Sequence, residues 1–230
     1  MPYPSWTAYW SDRRLDTHHT DLLDQLLAAD GYADPGAAID QDAWRRYVAD
    51  VAEALEIGPD TSVYEVGCGA GAFLVPLDQI GCRVGGSDPS AALVAAAGAA
   101  MPDGRWSQGE GAAVDPAEPW DIVVCNGAFA YLPDHDYARG VLARMAAKAT
   151  RGFAVLDVPD ADDAEAAARA LASARHPESP DRSGLHHTRF GRSWFLHQLA
   201  EIGVTAVHVA EQRIPDYEAG VFRFNVFARL

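Results

Sequence analysis

The sequence predicts an α/β fold, a mostly parallel sheet wrapped by helices on both faces. Three observations carry that expectation. Beyond residue 58, short apolar runs alternate with stretches of helical periodicity, the pattern that βαβ units produce. The first of those runs, Val63-Tyr64-Glu65-Val66, enters Gly67-Cys68-Gly69-Ala70-Gly71, a tight turn into a helix. At the far end, Thr205 to Arg213 and Gly220 to Leu230 are both β-rich. A hairpin there would add an antiparallel strand to the parallel set.

Two helical patterns precede the sheet. Thr17 to Ala29 carries Leu22, Leu23, Leu26 and Leu27 at helical spacing. Asp40 to Glu56 places Trp44, Tyr47, Val48, Val51, Ala52 and Leu55 on one face. After the glycine turn the expected order is helix 71–80, strand 82–87, helix 89–100, strand 104–107, strand 120–125, helix 134–148 and strand 152–158. Ala91 to Ala97 is a strong helix former. Asp160 to Arg175 reads as a further helix, and His176 to Gly184 as a loop, by its two prolines and polar run. Loops of that length serve as lids, substrate contacts or mobile segments. Ser193 to Ile202 is the last expected helix. Residues 1–57 form an N-terminal helical segment packed on the core and 58–230 the binding domain, one structural domain overall. A chain of 230 residues suffices for a full core.

The glycine turn carries the first chemistry. Glycines at 67, 69 and 71 let the backbone bend sharply and let a ligand lie against main-chain atoms. The helix that follows would aim its N-terminal amides into the turn, so an anionic or carboxylate-bearing tenant is expected. The spacing is Gly-x-Gly-x-Gly, whereas the dinucleotide fingerprint is Gly-x-Gly-x-x-Gly, and the Gly-Lys-Ser/Thr ending of phosphate loops is absent. A turn with no ligand is the plain alternative. The next run, Cys82 to Ser87, ends in Asp88, about 20 residues past the first turn, where α/β nucleotide binders hold ribose hydroxyls. A carboxylate can accept from both hydroxyls at once. Pro89 suits the first turn of a helix. Asp88 could equally cap that helix, and the two roles are compatible. Trp120 to Asn126 is a third apolar run, closed by Asn126-Gly127. Residues past a parallel strand's carboxyl end face the ligand crevice, which places Asn126, Phe129 and Tyr131 beside it.

Together, Glu65-x-Gly67-x-Gly69-x-Gly71, Asp88 and the Asp121-to-Asn126 run resemble the class I S-adenosylmethionine-dependent methyltransferases. The likeness spans residues 40 to 158 well and the ends by general layout. It implies a Rossmann-like, doubly wound seven-stranded sheet, mostly parallel with an antiparallel C-terminal strand, under an N-terminal helical cover. It implies S-adenosyl-L-methionine as cofactor, with Glu65, Gly67, Cys68, Gly69 and Gly71 around its methionine half, Asp88 and Pro89 at the ribose, Gln108, Gly109 and Glu110 near the adenine, and Asn126 and Gly127 at the reacting end. It also implies a cover over the active site from the cluster Tyr9, Trp10, His18 and His19. Trp10 could instead pack on a helix face. Tyr9, Trp10, Phe129, Tyr131 and Tyr217 are the expected substrate contacts. A proton-bearing acceptor would need a base, and histidine is the usual one near neutral pH. His187 is the first candidate, with His186, His135 and Asn126 behind it. A structural histidine is the competing reading of each.

Composition narrows the partners. The net charge is −15 and no basic cluster offsets it, since Arg13-Arg14 and Arg45-Arg46 are isolated pairs. Nucleic acid and anionic membrane are thereby excluded as expected partners. A small-molecule substrate is expected, which leaves a homodimer or a small partner protein open. No apolar run reaches 18 residues, and the first residues lack the pattern of a secretory signal. Three cysteines suit a reducing cytoplasm, and their positions (68, 82, 125) form no zinc-type pair, so no metal is expected. The expected activity is methyl transfer to O or N of a small molecule. High Ala, Gly, Asp and Arg usage associates with GC-rich bacteria and their secondary metabolism, including antibiotic biosynthesis. Two rivals stand beside it: an enzyme of the same fold turned to cyclisation or group elimination, and a non-catalytic binding subunit.

Overall fold

A computed structural model describes residues 4–15, 18–34, 37, 39–173 and 184–230. The expected loop from His176 falls outside the described residues up to Ser183, as do Arg175 and Thr17. Seven strands form one sheet: β1 (Ser62–Val66), β2 (Arg83–Asp88), β3 (Arg105–Gln108), β4 (Trp120–Asn126), β5 (Ala149–Pro159), β6 (Ala206–Glu211) and β7 (Arg223–Arg229). Their order is β3-β2-β1-β4-β5-β7-β6. β7 runs antiparallel to both β5 and β6, and every other pairing is parallel. The strand order reverses between β1 and β4, and a crevice for ligands opens at the carboxyl ends of strands at such a point.

All five residues of β1 are buried, because helices cover both faces of the sheet. One apolar cluster joins the N-terminal helices to the sheet through Leu23, Leu26, Trp44, Val48, Val63 and Phe73. The other packs Val141, Leu142, Met145 and Phe195 against Val123, Phe153 and Phe224. Each large side chain so buried contributes roughly 1.5–3 kcal/mol. The N-terminal segment thus shares the core of the sheet.

That segment contains α1 (Trp6–Ser11), α2 (Leu22–Ala29) and α3 (Gln41–Ala54). The sequence marks no helix at α1. Ser5 starts it, accepting from the Ala8 amide. α2 begins five residues later than the leucine pattern suggested, because Asp21 caps it by accepting from the Leu23 amide. Asp40 caps α3 in the same way through Ala43. Trp44 on α3 donates through Nε1 to the Ala72 carbonyl at 2.8 Å and fixes the helix against the glycine turn.

Further along come α4 (Val75–Gln79), α5 (Ala91–Ala100), α6 (His135–Lys148), α7 (Ala164–Ser173) and α8 (Arg192–Glu201). α4 is much shorter than the expected 71–80, because Gly71 takes φ 91° and the chain stays in turns until Val75. Among the described residues no helix is long and apolar enough to cross a membrane.

Candidate active site

The carboxyl ends of β1, β2, β4 and β5 open into one cavity roofed by α1 and the segment after α2. Its empty space is ≈ 1260 Å³ including the open mouth, room for a cofactor and an acceptor together. Glycine makes the turn feasible: Gly67 and Gly69 sit at φ 75° and 52°, where other residues are strained. The amides of Gly67 and Cys68 donate to the Ser87 carbonyl at 2.7 and 3.0 Å, which ties the turn to β2.

Asp88 completes that tie. Its Oδ2 accepts from the Gly69 amide at 3.0 Å and its Oδ1 from the Ser90 amide at 2.8 Å. The helix cap itself is Ser90, which accepts from Leu93. Asp88 therefore holds the turn while still walling the cavity, with acceptor capacity left over. Burial raises its pKa, and the two amide bonds oppose that rise.

Glu65 is 2 % exposed at the end of β1, and its Oε2 has no hydrogen-bond partner. Burial, then the charges of Asp30 and Asp88, push its carboxyl well above the ordinary range. A buried acid left in that state at a cavity wall is a site for a donor or cation brought by a ligand.

The amides of Ala70 and Ala72 past the turn, expected to meet an anionic group of a ligand, meet a side chain of this chain instead. Asp30, just past α2, fills that place: Oδ1 accepts from Ala70 at 2.6 Å and Oδ2 from Ala72 at 3.1 Å. A Cβ at Gly69 would lie 2.2 Å from Asp30 Oδ1. Burial pushes Asp30 up from 3.8 to about 7; the two amides and Arg13 oppose the rise, and Asp88 adds to it. The wall around the turn is thus acidic, with Asp30, Glu65, Asp88 and Glu110, and it suits a ligand whose nearby groups are cationic. Sequence reasoning missed Asp30. The available signal was an acid at a helix C-terminus, where the dipole disfavours it.

The other end of the cavity is built from phenols and aromatics. Tyr47 donates to Asn126 Oδ1 and Asn126 Nδ2 donates to Tyr32 Oη, both at 2.8 Å. Asp157 closes this end from β5, at φ 58° and beside a register shift against β7. Arg223 donates through Nη1 to the Asp157 carbonyl and to its Oδ2, each at 2.9 Å. Tyr217 and Gln212 also donate to the Asp157 carboxylate. Trp6, Trp10 and Tyr131 cover the opening, with Tyr131 4.7 Å from Trp6 and 5.1 Å from Trp10 between ring centroids.

Of the residues expected from sequence, Trp10, Glu65, Gly67, Cys68, Gly69, Asp88, Pro89, Glu110, Asn126, Gly127, Tyr131 and Tyr217 wall the cavity. Others lie elsewhere. Phe129 is fully buried, packed on Phe190 and Phe195 behind β4. Tyr9 is buried beneath α1, its hydroxyl toward Asp34. Gly71 faces Met101 and Ala97. Gly109 and Gln108 flank the cavity without walling it; Gln108 donates to the Pro89 carbonyl. His187 stacks flat on Trp6, 4.9 Å and 12° between the rings, and meets Tyr131 edge-on at 5.4 Å, and His186 offers its carbonyl to Trp6 Nε1. His135 points its ring at Phe190 and the Arg189 carbonyl. None of the three histidines is a cavity wall; each stands behind or beside an aromatic. His18 and His19 do not wall it either. Among the described residues no cluster of His, Cys, Asp and Glu could hold a metal.

A glycine turn pinned to an acid at the switch point of a seven-stranded sheet defines a nucleoside-type ligand site of the doubly wound class. A family model described as a methyltransferase domain matches residues 37–209. The chain belongs to that family, the class I S-adenosylmethionine-dependent methyltransferases. A curated relative, trans-aconitate 2-methyltransferase of Azoarcus sp. (strain BH72), is 32% identical over 92 residues. That match takes in 39% of this chain and 36% of the relative, about a third of its length. Among solved structures, DesVI of Streptomyces venezuelae has a TM-score of 0.63 at 13% identity, covering 93% of this chain and 98% of its own. An amino pentose methyltransferase of calicheamicin biosynthesis from Micromonospora echinaspora gives 0.61 at 18%, covering 81% and 92%. The N-methyltransferase NodS of Bradyrhizobium japonicum gives 0.59 at 19%, covering 90% and 94%.

S-adenosylmethionine, the cofactor of this class, fits the residues present. Its sulfonium and ammonium carry positive charge, and Glu65 supplies an unpartnered buried carboxyl beside Asp30 and Asp88.

Proposed function

We propose that this chain methylates an O or N atom of a small molecule, with S-adenosylmethionine as donor. The observation that carries the reading is Glu65: a buried acid with an unsatisfied oxygen, at the wall of a cavity framed by glycine backbone. When bound, the cofactor supplies an activated methyl group. The turn at Gly67 to Gly69, with Glu65, Asp30 and Asp88, would hold it. Glu110 would border its base.

The protein's own contribution is placement and exclusion of water. Transfer of an activated methyl needs two reactants held in line and close, and positioning alone can lower a barrier by ~7–11 kcal/mol. Trp6 and Trp10 cover the cavity, and Tyr32, Asn126 and Tyr131 shape its acceptor end. The Tyr47–Asn126–Tyr32 chain of hydrogen bonds fixes that end without moving a proton. His187 supports the cover by stacking on Trp6 rather than acting as base. A role in bacterial secondary metabolism, including antibiotic biosynthesis, is consistent with the neighbour from calicheamicin biosynthesis. Three free cysteines fit a cytoplasmic setting.

Calorimetric titration with S-adenosylmethionine tests the reading first, and incubation with methyl-labelled cofactor and acceptors tests it second. Saturable binding followed by release of S-adenosylhomocysteine with labelled product is the expected result. Binding without release would favour the rival of non-methyl chemistry, and no binding would favour a non-catalytic subunit.

A further inference from the structure

Arg223 is the one cationic side chain among the described residues that wall the cavity; the other ionisable walls are acids, tyrosines and cysteines. Its charge is half-used. Nη1 makes both contacts to Asp157. Among the described residues Nε and Nη2 meet no acceptor, and they remain as donors of a planar fork suited to carboxylate. The guanidinium cannot swing away. Asp157 is 3 % exposed and is itself held by Tyr217, Gln212 and the Asn225 side chain, which accepts from its amide.

The backbone gives a second, independent sign. Asp157 is a non-glycine residue at φ 58° inside a strand, at a shift of register. Such a conformation persists where the surroundings enforce it, and such residues cluster at functional sites.

A third donor converges on the same place. Tyr32 Oη accepts from Asn126 Nδ2, so its own proton is left to be given away. Burial and the nearby Asp157 push this phenol well above its ordinary range, which keeps it a donor at neutral pH. Tyr131 stands close enough to Arg223 to sense its charge, and it also touches Trp6 and Trp10. The donors therefore adjoin a patch of aromatic faces.

We propose that Arg223 and Tyr32 form an anion subsite at the acceptor end, and that the acceptor is a small acid whose carboxylate docks there while a flat, unsaturated body lies under Trp6, Trp10 and Tyr131. Arg223 is then a specificity-determining residue. The proposal rests on the methyltransferase reading above and names its substrate class. It is a statement about anchoring, and the same carboxylate or another atom of the acid could receive the methyl group.

The test uses full-length protein and calorimetry. S-adenosylhomocysteine is titrated first. The loaded protein is then titrated with benzoate, cinnamate and fumarate, each beside its primary amide. At least one acid is expected to bind at least about tenfold more tightly than its amide. Arg223→Gln should lose about tenfold or more for that acid and keep its affinity for S-adenosylhomocysteine within about twofold, and Tyr32→Phe should lose less. Arg223→Lys keeps a charge beside Asp157 but not the fork; it serves if Arg223→Gln fails to fold, with the same direction of loss expected. Equal binding of acid and amide, binding by none of the acids to the loaded protein, or wild-type binding by the Arg223 variant would overturn the subsite. Failure of S-adenosylhomocysteine to bind at all would instead overturn the methyltransferase reading beneath it.

Discussion

Replacing Asp30 with asparagine should change how stability depends on pH. The Asp30 carboxyl caps the turn at Ala70 and Ala72 and is raised from 3.8 to about 7 by burial, against the pull of those two amides. The sign follows from linkage. Between 3.8 and about 7 the folded chain keeps a proton that the unfolded chain has lost. The stability this confers is full at acid pH and is lost as pH rises through about 7. From about pH 5 to about pH 8, roughly two units of the gap are traversed, which at ~1.36 kcal/mol per unit removes about 2–3 kcal/mol. Asparagine does not titrate. It also replaces one acceptor by a donor, a fixed loss of about 1 kcal/mol that does not vary with pH.

The assay is urea denaturation of both proteins at several pH values across that range. Wild type carries other raised acids, Glu65 and Asp88 among them, so its own slope mixes several groups. The difference between the two proteins reports Asp30 together with its influence on the neighbouring Glu65. The variant should gain about 2–3 kcal/mol on wild type between the acid and alkaline ends. A difference that stays flat to within about 0.5 kcal/mol would refute the burial of a titrating carboxyl at the turn.

Substitutions at two other positions probe the site. Glu65→Gln should weaken S-adenosylmethionine binding roughly 10- to 150-fold, the range expected for a lost charge-assisted bond, and cost little stability, because burial already disfavours the charged carboxylate; calorimetry with unchanged affinity would remove Glu65 from the site. His187→Phe preserves a flat ring against Trp6 and should hold turnover within a few-fold, while His187→Ala raises KM for the acceptor more than it lowers kcat. A loss of roughly 100-fold in kcat for the phenylalanine variant would restore the imidazole as a base.

Several parts of the fold and site were legible in local patterning. The runs at Ser62–Val66, Arg83–Asp88 and Trp120–Asn126 became neighbouring strands, because a strand covered on both faces is buried along nearly its whole length and carries few large polar side chains. The glycines at 67 and 69 took left-handed angles that other residues rarely adopt, so their role was legible in their identity. Glu65, Asp88 and Asn126 stand at the ends of those strands, and a strand's end faces the crevice whatever the rest of the chain does.

Which residues from distant segments share the cavity depends on how the elements pack. Asp30 reaches the turn from α2 across 40 positions of chain, and Arg223 meets Asp157 across 66. An acid past a helix or an arginine in an alternating strand gives no sign of its partner. Phe129 and Tyr131 show the same limit at close range. They differ by two positions in a 3₁₀ turn, yet one is buried behind β4 and the other walls the cavity. The histidines were misplaced for the same reason: proximity to the substrate region in sequence says nothing about which face of Trp6 an imidazole will stack upon. Local chemistry is written in residue types and spacing, whereas convergence of side chains is set by the packing of whole elements, which no short stretch contains.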